Sequence, residues 1–187
     1  PLHLEPEAAT LILAASYADQ VATIRSIAFS LPFPFKLYVK EHPTAMGLRT
    51  DGFYKELQKV PNVVLISPSQ SVPRLVQKSQ GVITLSSTMG FEALLLGKPV
   101  YVLGNVFYTY HPLCQKAQGF DDLKKRLEGD QKKKPKVDDL ESVNLRFMAS
   151  YLRNTLKGGT MTASQPNDKN DYRVFYDTVK QRIRNVH

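Results

Sequence analysis

The sequence predicts an α/β fold: a Rossmann-like, doubly wound parallel sheet of five strands, with helices on both faces and further helices appended at the C-terminus. Five short apolar runs predict the strands. They are continuous rather than alternating, as in strands that are covered on both faces. The runs span residues 10–16, 35–40, 62–67, 81–86 and 99–104. Segments typical of helices lie between them, and this alternation indicates βαβ units in a parallel sheet.

The predicted helices between the strands span 19–31, 51–60, 71–79 and 88–97. The last of them ends at Gly97, and Pro99 follows two residues later, a normal C-terminal stop. Beyond residue 120 no run is typical of a strand, and two helices are predicted, over 138–156 and 170–185. We therefore expect a Rossmann-like domain over 1–120 and a C-terminal helical segment over 121–187 that packs on the same domain.

Composition narrows the class of protein. No apolar run in the 187 residues approaches the roughly 18 residues of a membrane span, and the N-terminus does not have the pattern of a signal peptide. A single cysteine, Cys114, excludes an intrachain disulfide and a site with several cysteine ligands. We expect a cytoplasmic location, and we expect Cys114 to be a partly buried residue without a chemical role.

The net charge of +8 is concentrated in residues 124–136, which hold seven Lys or Arg against two acids. We expect a solvated loop here, mobile over 129–136, because that stretch has no apolar residue to bury. An alternative is contact with anionic lipid head groups, which would place the protein at the inner-membrane surface. Aromatic residues are not interleaved with the basic run, so nucleic acid is not an expected partner.

Polar residues follow the predicted strands at the edge where open α/β sheets bind ligands, outside the carboxyl ends of the strands. With the strand order 3-2-1-4-5, the residues after the second and fourth strands face one crevice. The candidate binding residues are Lys40, His42 and Pro43 after the second strand, Ser86, Ser87, Thr88, Gly90 and Glu92 after the fourth, and Tyr108 after the fifth.

The cluster after the fourth strand suits a nucleoside phosphate. The first turn of the helix that begins there has free N–H groups, and the hydroxyls of Ser86–Thr88 can donate to phosphate oxygens. Gly90 lets a phosphate approach the backbone, and Glu92 can accept from ribose hydroxyls. Simpler roles stay open: Ser87 or Thr88 as a helix cap, Glu92 as a favourable charge on the helix dipole, and His42 as a turn residue.

Metal and cofactor sites are not predicted. No Asp-X-Asp pair lies near the strand ends, so we expect the site to need no metal ion and no cofactor. His42 and the N-terminus of the helix would take the place of a cation.

Three segments resemble the capsule polysaccharide biosynthesis family, bacterial glycosyltransferases of the two-Rossmann (GT-B) type that include enzymes transferring Kdo from CMP-Kdo. They are VKEHP (39–43), SSTMGFEALLLGKPV (86–100) and GNVFY (104–108). The resemblance runs from about Glu7 to Tyr110. The His-Pro and Ser/Thr motifs also resemble those of bacterial sialyltransferases, where they hold the CMP phosphate.

The resemblance implies the C-terminal, donor-binding half of such an enzyme. His42 and Ser86–Thr88 would hold the phosphate of a nucleotide sugar, which the resemblance implies is CMP-linked, and Glu92 the ribose or base side. The N-terminal, acceptor-binding domain is missing, so no catalytic base is named and this fragment alone is expected to be inactive. The acceptor would be a glycan or glycolipid.

Three other functions stay open from the sequence. Two are enzymes of similar architecture, a UDP-sugar 2-epimerase and a glycerophosphotransferase of teichoic acid synthesis. The third is a module without catalytic activity that binds an anionic ligand. The choice of nucleotide separates them: CMP favours the glycosyltransferase, UDP favours the epimerase, and no nucleotide binding favours the module.

Overall fold

The computed structural model describes residues 1–5, 7–155, 176–177 and 180. Contacts divide the chain into two compact units, Pro1–Leu140 and Glu141–His187. The strands of the described residues are β1 (Leu37–Lys40), β2 (Val63–Ile66), β3 (Val82–Thr84), β4 (Val100–Val102) and β5 (Cys114–Lys116). The helices are α1 (Ala8–Leu13), α2 (Gln20–Ser30), α3 (Asp51–Gln58), α4 (Val72–Lys78), α5 (Thr88–Leu95), α6 (Phe120–Lys132) and α7 (Leu140–Asn154).

The five strands form two separate parallel sheets, so the prediction of a single five-stranded sheet is wrong. In the first sheet β1 pairs with β2, and Leu37 lies opposite Val63. In the second, β4 lies between β3 and β5, and Val100 lies opposite both Val82 and Cys114. The α/β class, the parallel pairing and four of the predicted strands are confirmed.

The run at 10–16, predicted to be a strand, is helical. α1 ends at Leu13, and a short 3-10 turn follows over Ala15–Tyr17. This run is rich in alanine and leucine, the strongest helix formers, and periodicity cannot separate a short apolar strand from a buried helix. The sequence does not predict β5, because Cys114–Lys116 is an edge strand without an apolar pattern.

Helices cover both faces of the three-stranded sheet. On one face, Ile27 of α2 and Leu127 of α6 pack in one apolar cluster with Tyr101 of β4. On the other face α5 lies against β3, where Gly90 approaches Thr84. Neighbouring residues of a strand point to opposite faces, so the side chains of each strand serve both layers. Helices on both faces were expected, and this sheet has them.

The two-stranded sheet packs against α2 and α3. Val39 of β1 forms a buried cluster with Ile24 of α2 and Leu57 of α3. α2 therefore contacts the cores of both sheets. Its N-terminus is capped by Asp19, whose carboxylate accepts from the Ala22 N–H at 3.0 Å. Helices α2 to α5 lie where the sequence predicts them.

The basic run over 124–136 is helical from residue 124 to Lys132, and this part of it is not the loop that the sequence predicts. It forms most of α6, because Leu123 and Leu127 lie four residues apart and are both buried. Asp130 fixes the helix further, since it accepts from the hydroxyl of Tyr101. Only the residues from 133 to 136 fall outside a helix.

α7, over Leu140–Asn154, lies within the range 138–156 and confirms the helix predicted there. The helix predicted over 170–185 lies almost wholly outside the described residues. The packing of 121–187 on the first domain stays a prediction. Within the part of the chain that the structure describes, no helix has the length and apolar content needed to cross a membrane.

Candidate functional site

The N-terminal segment connects the carboxyl ends of the two sheets. Leu2 donates its N–H to the carbonyl of Lys40, the last residue of β1, at 2.8 Å. The carbonyl of Leu13 accepts from the N–H of Asn105, which follows β4, at 2.9 Å. α1 between them has six residues and is about 9 Å long. The N-terminal segment is therefore hydrogen-bonded to the chain at the end of β1 and again in the loop that follows β4.

Ser87 is the N-cap of α5, as one of the simpler roles predicts. Its hydroxyl oxygen accepts from the Met89 N–H at 3.2 Å, and its own N–H donates to the hydroxyl of Thr84 at 3.1 Å. Its carbonyl accepts from the hydroxyl of Tyr108 at 2.6 Å. These three bonds fix the backbone at the start of α5. The hydroxyl of Ser87 still has its proton to donate, because it only accepts in the cap.

The residues on either side of Ser87 have unused donors. The hydroxyl of Ser86 is buried and has no hydrogen-bond partner among the described residues. Thr88 is exposed and is the first residue of α5. Its N–H belongs to the first turn, where a helix has no internal acceptor. Hydroxyl and N–H donors at a helix N-terminus are suited to an anion.

His42 lies two residues beyond the end of β1 and is the cap of the 3-10 turn Pro43–Ala45. Its Nδ1 accepts from the N–H of Thr44 at 3.3 Å and lies 2.8 Å from the Thr44 hydroxyl. A nitrogen that accepts a backbone N–H carries no proton. The neutral ring of His42 therefore has its proton on Nε2, which is left as a donor. The turn role of His42 is confirmed, and it leaves a second nitrogen for a ligand.

Lys40 is buried at the carboxyl end of β1, and its ammonium donates to the carbonyl of Pro68 at 2.6 Å. This bond attaches the end of β1 to the loop that follows β2. A contact between Lys40 and a substrate stays a prediction, as it does for Pro43, of which the structure describes only the backbone.

A buried ion pair that sequence reasoning missed holds the loop after β1. The carboxylate of Glu41 accepts from Arg49 at 2.9 Å and from the hydroxyl of Tyr54 at 2.8 Å. The side chains of Glu41 and Arg49 are only 5% and 6% exposed. Arg49 also donates to Glu5 at 2.9 Å and to the carbonyl of His3. The pair therefore joins the loop that carries His42 to the N-terminal segment.

His3 was also missed. It is buried, its Nδ1 lies 3.3 Å from the carboxylate of Glu7, and burial lowers its pKa from the ordinary value of 6.5. Its Nε2 has no partner within the described residues. A sequence signal for His3 exists, because LHLEPE at residues 2–7 contains a histidine followed by two acids. It was missed because only residues that follow a predicted strand were considered as candidates.

Gly90 and Tyr108 have packing roles. A β-carbon on Gly90 would lie 2.6 Å from the hydroxyl oxygen of Tyr108 and 3.0 Å from the methyl of Thr84. The missing side chain is therefore explained by close packing, and approach of a phosphate at Gly90 stays a prediction. Tyr108 is 1% exposed, and burial raises its pKa. It supports Ser87 from behind, and its hydroxyl is already bonded to the carbonyl of that residue.

Glu92 is exposed on α5, four residues after Thr88. Residues at this spacing lie on the same face of a helix, one turn of 5.4 Å apart. Thr88 and Glu92 therefore lie on one face of α5, directly after Ser86 and Ser87. His42 follows β1 of the other sheet, so its meeting with these residues in one crevice stays a prediction.

Metal ligands do not cluster in the described residues: no three of His, Cys, Asp and Glu come together there. A reaction without a metal stays a prediction. Cys114 lies in β5 and is partly buried, and burial raises the pKa of its thiol to about 11. The thiol is therefore protonated at neutral pH, which fits the expected absence of a chemical role.

The family described as "Capsule polysaccharide biosynthesis protein" matches residues 16–148, a range that contains every strand above and the candidate binding residues. The chain belongs to the capsule polysaccharide biosynthesis family. The resemblance seen in VKEHP and SSTMGFEALLLGKPV is thereby confirmed at the level of the family. The segment with His3 lies outside the matched range.

Two curated proteins related to capsule polysaccharides are similar to this member of the family. The capsule polysaccharide modification protein LipA of Neisseria meningitidis serogroup B (strain ATCC BAA-335 / MC58) is 33% identical over 73 residues, 39% of this chain and 10% of LipA. The capsule polysaccharide export protein KpsS of Escherichia coli is 30% identical over 102 residues, 50% of this chain and 26% of KpsS. The chain thus spans a minor part of the length of either relative. No solved structure is significantly similar to it.

Proposed function

We propose that this chain is the donor-binding half of a nucleotide-sugar-dependent glycosyltransferase that acts in capsule polysaccharide biosynthesis. The donor is a CMP-linked sugar, with Kdo as the sugar suggested by the family resemblance. The observation that carries the proposal is the group of unused donors at Ser86 and Thr88, at the start of a helix whose capping residue Ser87 is fixed by three hydrogen bonds.

The phosphate of the donor lies over the amino end of α5. It accepts from the hydroxyl of Ser87 and from the first N–H of the helix, and a rotation about χ1 of Ser86 turns its buried hydroxyl towards the phosphate. His42 donates from Nε2 across the same edge, because its Nδ1 is occupied by Thr44. The ribose lies one turn further along the helix, where the carboxylate of Glu92 accepts from its two vicinal hydroxyls.

The chemistry assigned to these residues is stabilisation of the leaving nucleotide. When the glycosidic bond to the phosphate breaks, negative charge develops on the phosphate oxygens, and fixed donors aimed at that charge lower the barrier. The acceptor and the base that activates it belong to another part of the full-length protein. This chain alone should bind the nucleotide and not turn it over, because the acceptor is not oriented against the donor.

The acceptor proposed is a glycan or glycolipid, at the cytoplasmic surface of the inner membrane. The lysines near the end of α6 support this location, since Lys132, Lys133 and Lys134 are all exposed. Such a cluster attracts anionic lipids by about 1 kcal/mol for each lysine near the surface.

Calorimetric titration with CMP, UDP and sulfate tests the proposal on the wild-type chain and on Glu92→Ala. The variant should lose about tenfold or more in affinity for CMP, the equivalent of one hydrogen bond to a charged group. Its affinity for sulfate should not change, because the glutamate contacts the ribose. Glu128→Ala, another exposed glutamate on a helix, is the matched control and should leave both affinities unchanged.

Each other outcome contradicts part of the proposal. Selective binding of UDP would favour an epimerase, and the absence of nucleotide binding would favour a module for another anion. If Glu92→Ala binds CMP as tightly as the wild type, the nucleoside does not lie along α5.

A further inference from the structure

The two sheets of the first unit enclose an apolar slot between their edges. Its volume is about 700 Å³, and it is lined by residues of β1 and β3. α2 contributes Ile24 and Ile27 to its wall, and α4 contributes Val76. The slot therefore has a strand edge on each side and apolar helical side chains around it.

The edge of β1 that faces the slot has free backbone groups. Leu37 donates its N–H to the carbonyl of Asn62 at 2.8 Å, so Leu37 faces β2. Successive residues of a parallel strand direct their N–H and C=O groups to opposite sides. Tyr38 and Lys40 therefore face away from β2, and both line the slot.

The edge of β3 that faces the slot also has free backbone groups. Val82 donates its N–H to the carbonyl of Pro99 at 3.0 Å, and the carbonyl of Thr84 accepts from Leu103 at 3.1 Å. Ile83, between them, directs its N–H and C=O away from β4, and it also lines the slot. Strand edges of this kind are templates for another strand.

The first residues of the chain already lie in the register of that strand. The carbonyl of Lys40, on the slot side of β1, accepts from the N–H of Leu2. In a parallel ladder this bond sets Pro1 opposite Lys40. Pro1 lines the slot, whereas His3 lies beyond it and donates its N–H to Gln20 at 2.8 Å. The direction from Leu2 back to Pro1 therefore runs into the slot, along β1.

We propose that the slot takes an extended apolar segment of polypeptide that is continuous with the amino side of Pro1, and that this segment pairs in parallel with β1 and β3 to join the two sheets into one. In this register, the residue before Pro1 donates its N–H to the carbonyl of Tyr38 and accepts from the N–H of Lys40. The residue before that one faces Ile83. The segment is apolar because α2 and α4 cover it, and a parallel strand covered on both faces is a continuous apolar run.

The side chains around the slot support an apolar occupant, because Ile24 and Ile27 of α2 and Val76 of α4 line it. The inference does not depend on the nucleotide, so it can fail while the proposed function holds.

Amide hydrogen exchange on two extended versions of the whole chain tests the inference. One has Thr-Val-Ile-Val-Val-Tyr before Pro1, and the control has Gly-Ser-Gly-Ser-Gly-Ser. The apolar extension should slow exchange at the N–H groups of Tyr38, Lys40 and Ile83 by at least tenfold relative to the control. The N–H groups of Leu37 and Val82, which are already bonded on the other side, should change much less. Equal exchange in the two versions overturns the inference.

A cross-linking experiment avoids the risk that the apolar extension impairs folding. Cys114 is replaced by alanine, a cysteine is placed two residues before Pro1, and its partner is Tyr38→Cys in one variant and Phe29→Cys in the control. Tyr38 and Phe29 are 61% and 68% exposed, so both replacements are tolerated. The disulfide should form only with Tyr38→Cys, because adjacent strands are about 4.8 Å apart and a disulfide needs about 4.4–6.8 Å between its Cα atoms. Cross-linking in both or in neither contradicts the register.

Another outcome would assign the slot to a second copy of the chain. The amides of Tyr38, Lys40 and Ile83 would then be protected in the chain without extension, and ultracentrifugation would show a dimer.

Discussion

Replacing Ser86 by alanine should change stability and ligand binding in opposite directions. The hydroxyl of Ser86 is buried and has no partner in the described part of the chain. A buried hydroxyl without a hydrogen bond costs about 1–3 kcal/mol in protein variants. Ser86→Ala removes this cost, while the loss of one oxygen atom leaves little empty space. We expect a gain of about 1 kcal/mol in the free energy of unfolding, after part of the benefit is lost to packing.

The same change should weaken the binding of CMP. A hydrogen bond to a charged group contributes about 1.5–3 kcal/mol, so the dissociation constant should rise by about tenfold to hundredfold. A gain in stability together with a loss in affinity would mark a polar group that is kept for a ligand. A serine with a structural role would lose stability on replacement.

The assays are thermal unfolding with and without CMP, and calorimetric titration with CMP. Without ligand, a gain of 1 kcal/mol in a domain of 150–250 residues raises Tm by about 2–4 °C. Ser71→Ala is the matched control, because Ser71 also precedes a helix but makes no capping bond through its side chain. A fall in Tm for Ser86→Ala would show that the hydroxyl has a partner after all. Unchanged affinity for CMP would show that no phosphate lies at Ser86.

Three more changes follow from the contacts. Arg49→Met should cost about 3–5 kcal/mol in urea unfolding, because it leaves Glu41 charged and buried without its partner, and adding Glu41→Gln should recover much of the loss. Gly90→Ala should cost about 1–3 kcal/mol through overpacking against Tyr108, and part of this should return with Tyr108→Phe. The free energy of unfolding of the chain should fall by about 1–3 kcal/mol from pH 8 to pH 6, since the Pro1 amine has its ordinary pKa of 8.0 when unfolded and about 6 when folded. The unfolded chain binds more protons in this range, so acid favours it.

Each of these has its own control. Arg25→Met removes an arginine whose ion pair with Glu56 is about half exposed, and it should cost less than 1 kcal/mol in the same urea assay. An equal loss for Arg25 and Arg49 would show that burial of the pair has no effect. For Gly90, a full loss that Tyr108→Phe does not reduce would exclude the hydroxyl as the obstacle. Acetylation of the N-terminus should flatten the pH dependence between 8 and 6, and an unchanged slope would assign it to other groups, such as His3.

The parts of the fold that local patterns determine were predictable. α2 has an aspartate cap and an apolar face, and the end of β1 at Lys40 follows from the apolar run over 35–40. The structure of the run at 10–16 was not predictable, because a short stretch of alanine and leucine suits a buried helix as well as a strand. The basic run was judged by its charge, whereas its structure is set by Leu123 and Leu127, which pack against the cluster that includes α2.

In the candidate site, too, local sequence patterns identify some residues but not the contacts between distant segments. His42 and Ser86–Thr88 are candidates because the ligand site of an open α/β sheet lies outside the carboxyl ends of its strands, and their meeting in one site stays a prediction. The pairing of Glu41 with Arg49, and of Arg49 with the carbonyl of His3, depends on segments far apart in the sequence, and no local pattern predicts it. Tyr108 was expected to contact a ligand, but its burial against Gly90 is visible only in the packed structure.

The bonds of the N-terminal segment also affect the order in which the protein can fold on the ribosome. The carbonyl of Leu13 accepts from Asn105, and the edge that Leu2 joins is complete only when Lys40 has emerged. Synthesis proceeds at roughly 5–20 residues per second, so Leu13 waits several seconds until its partner Asn105 has been made. In that interval the apolar side chains of Leu2 and Ala14, which are buried in the folded protein, are available to chaperones or to other nascent chains.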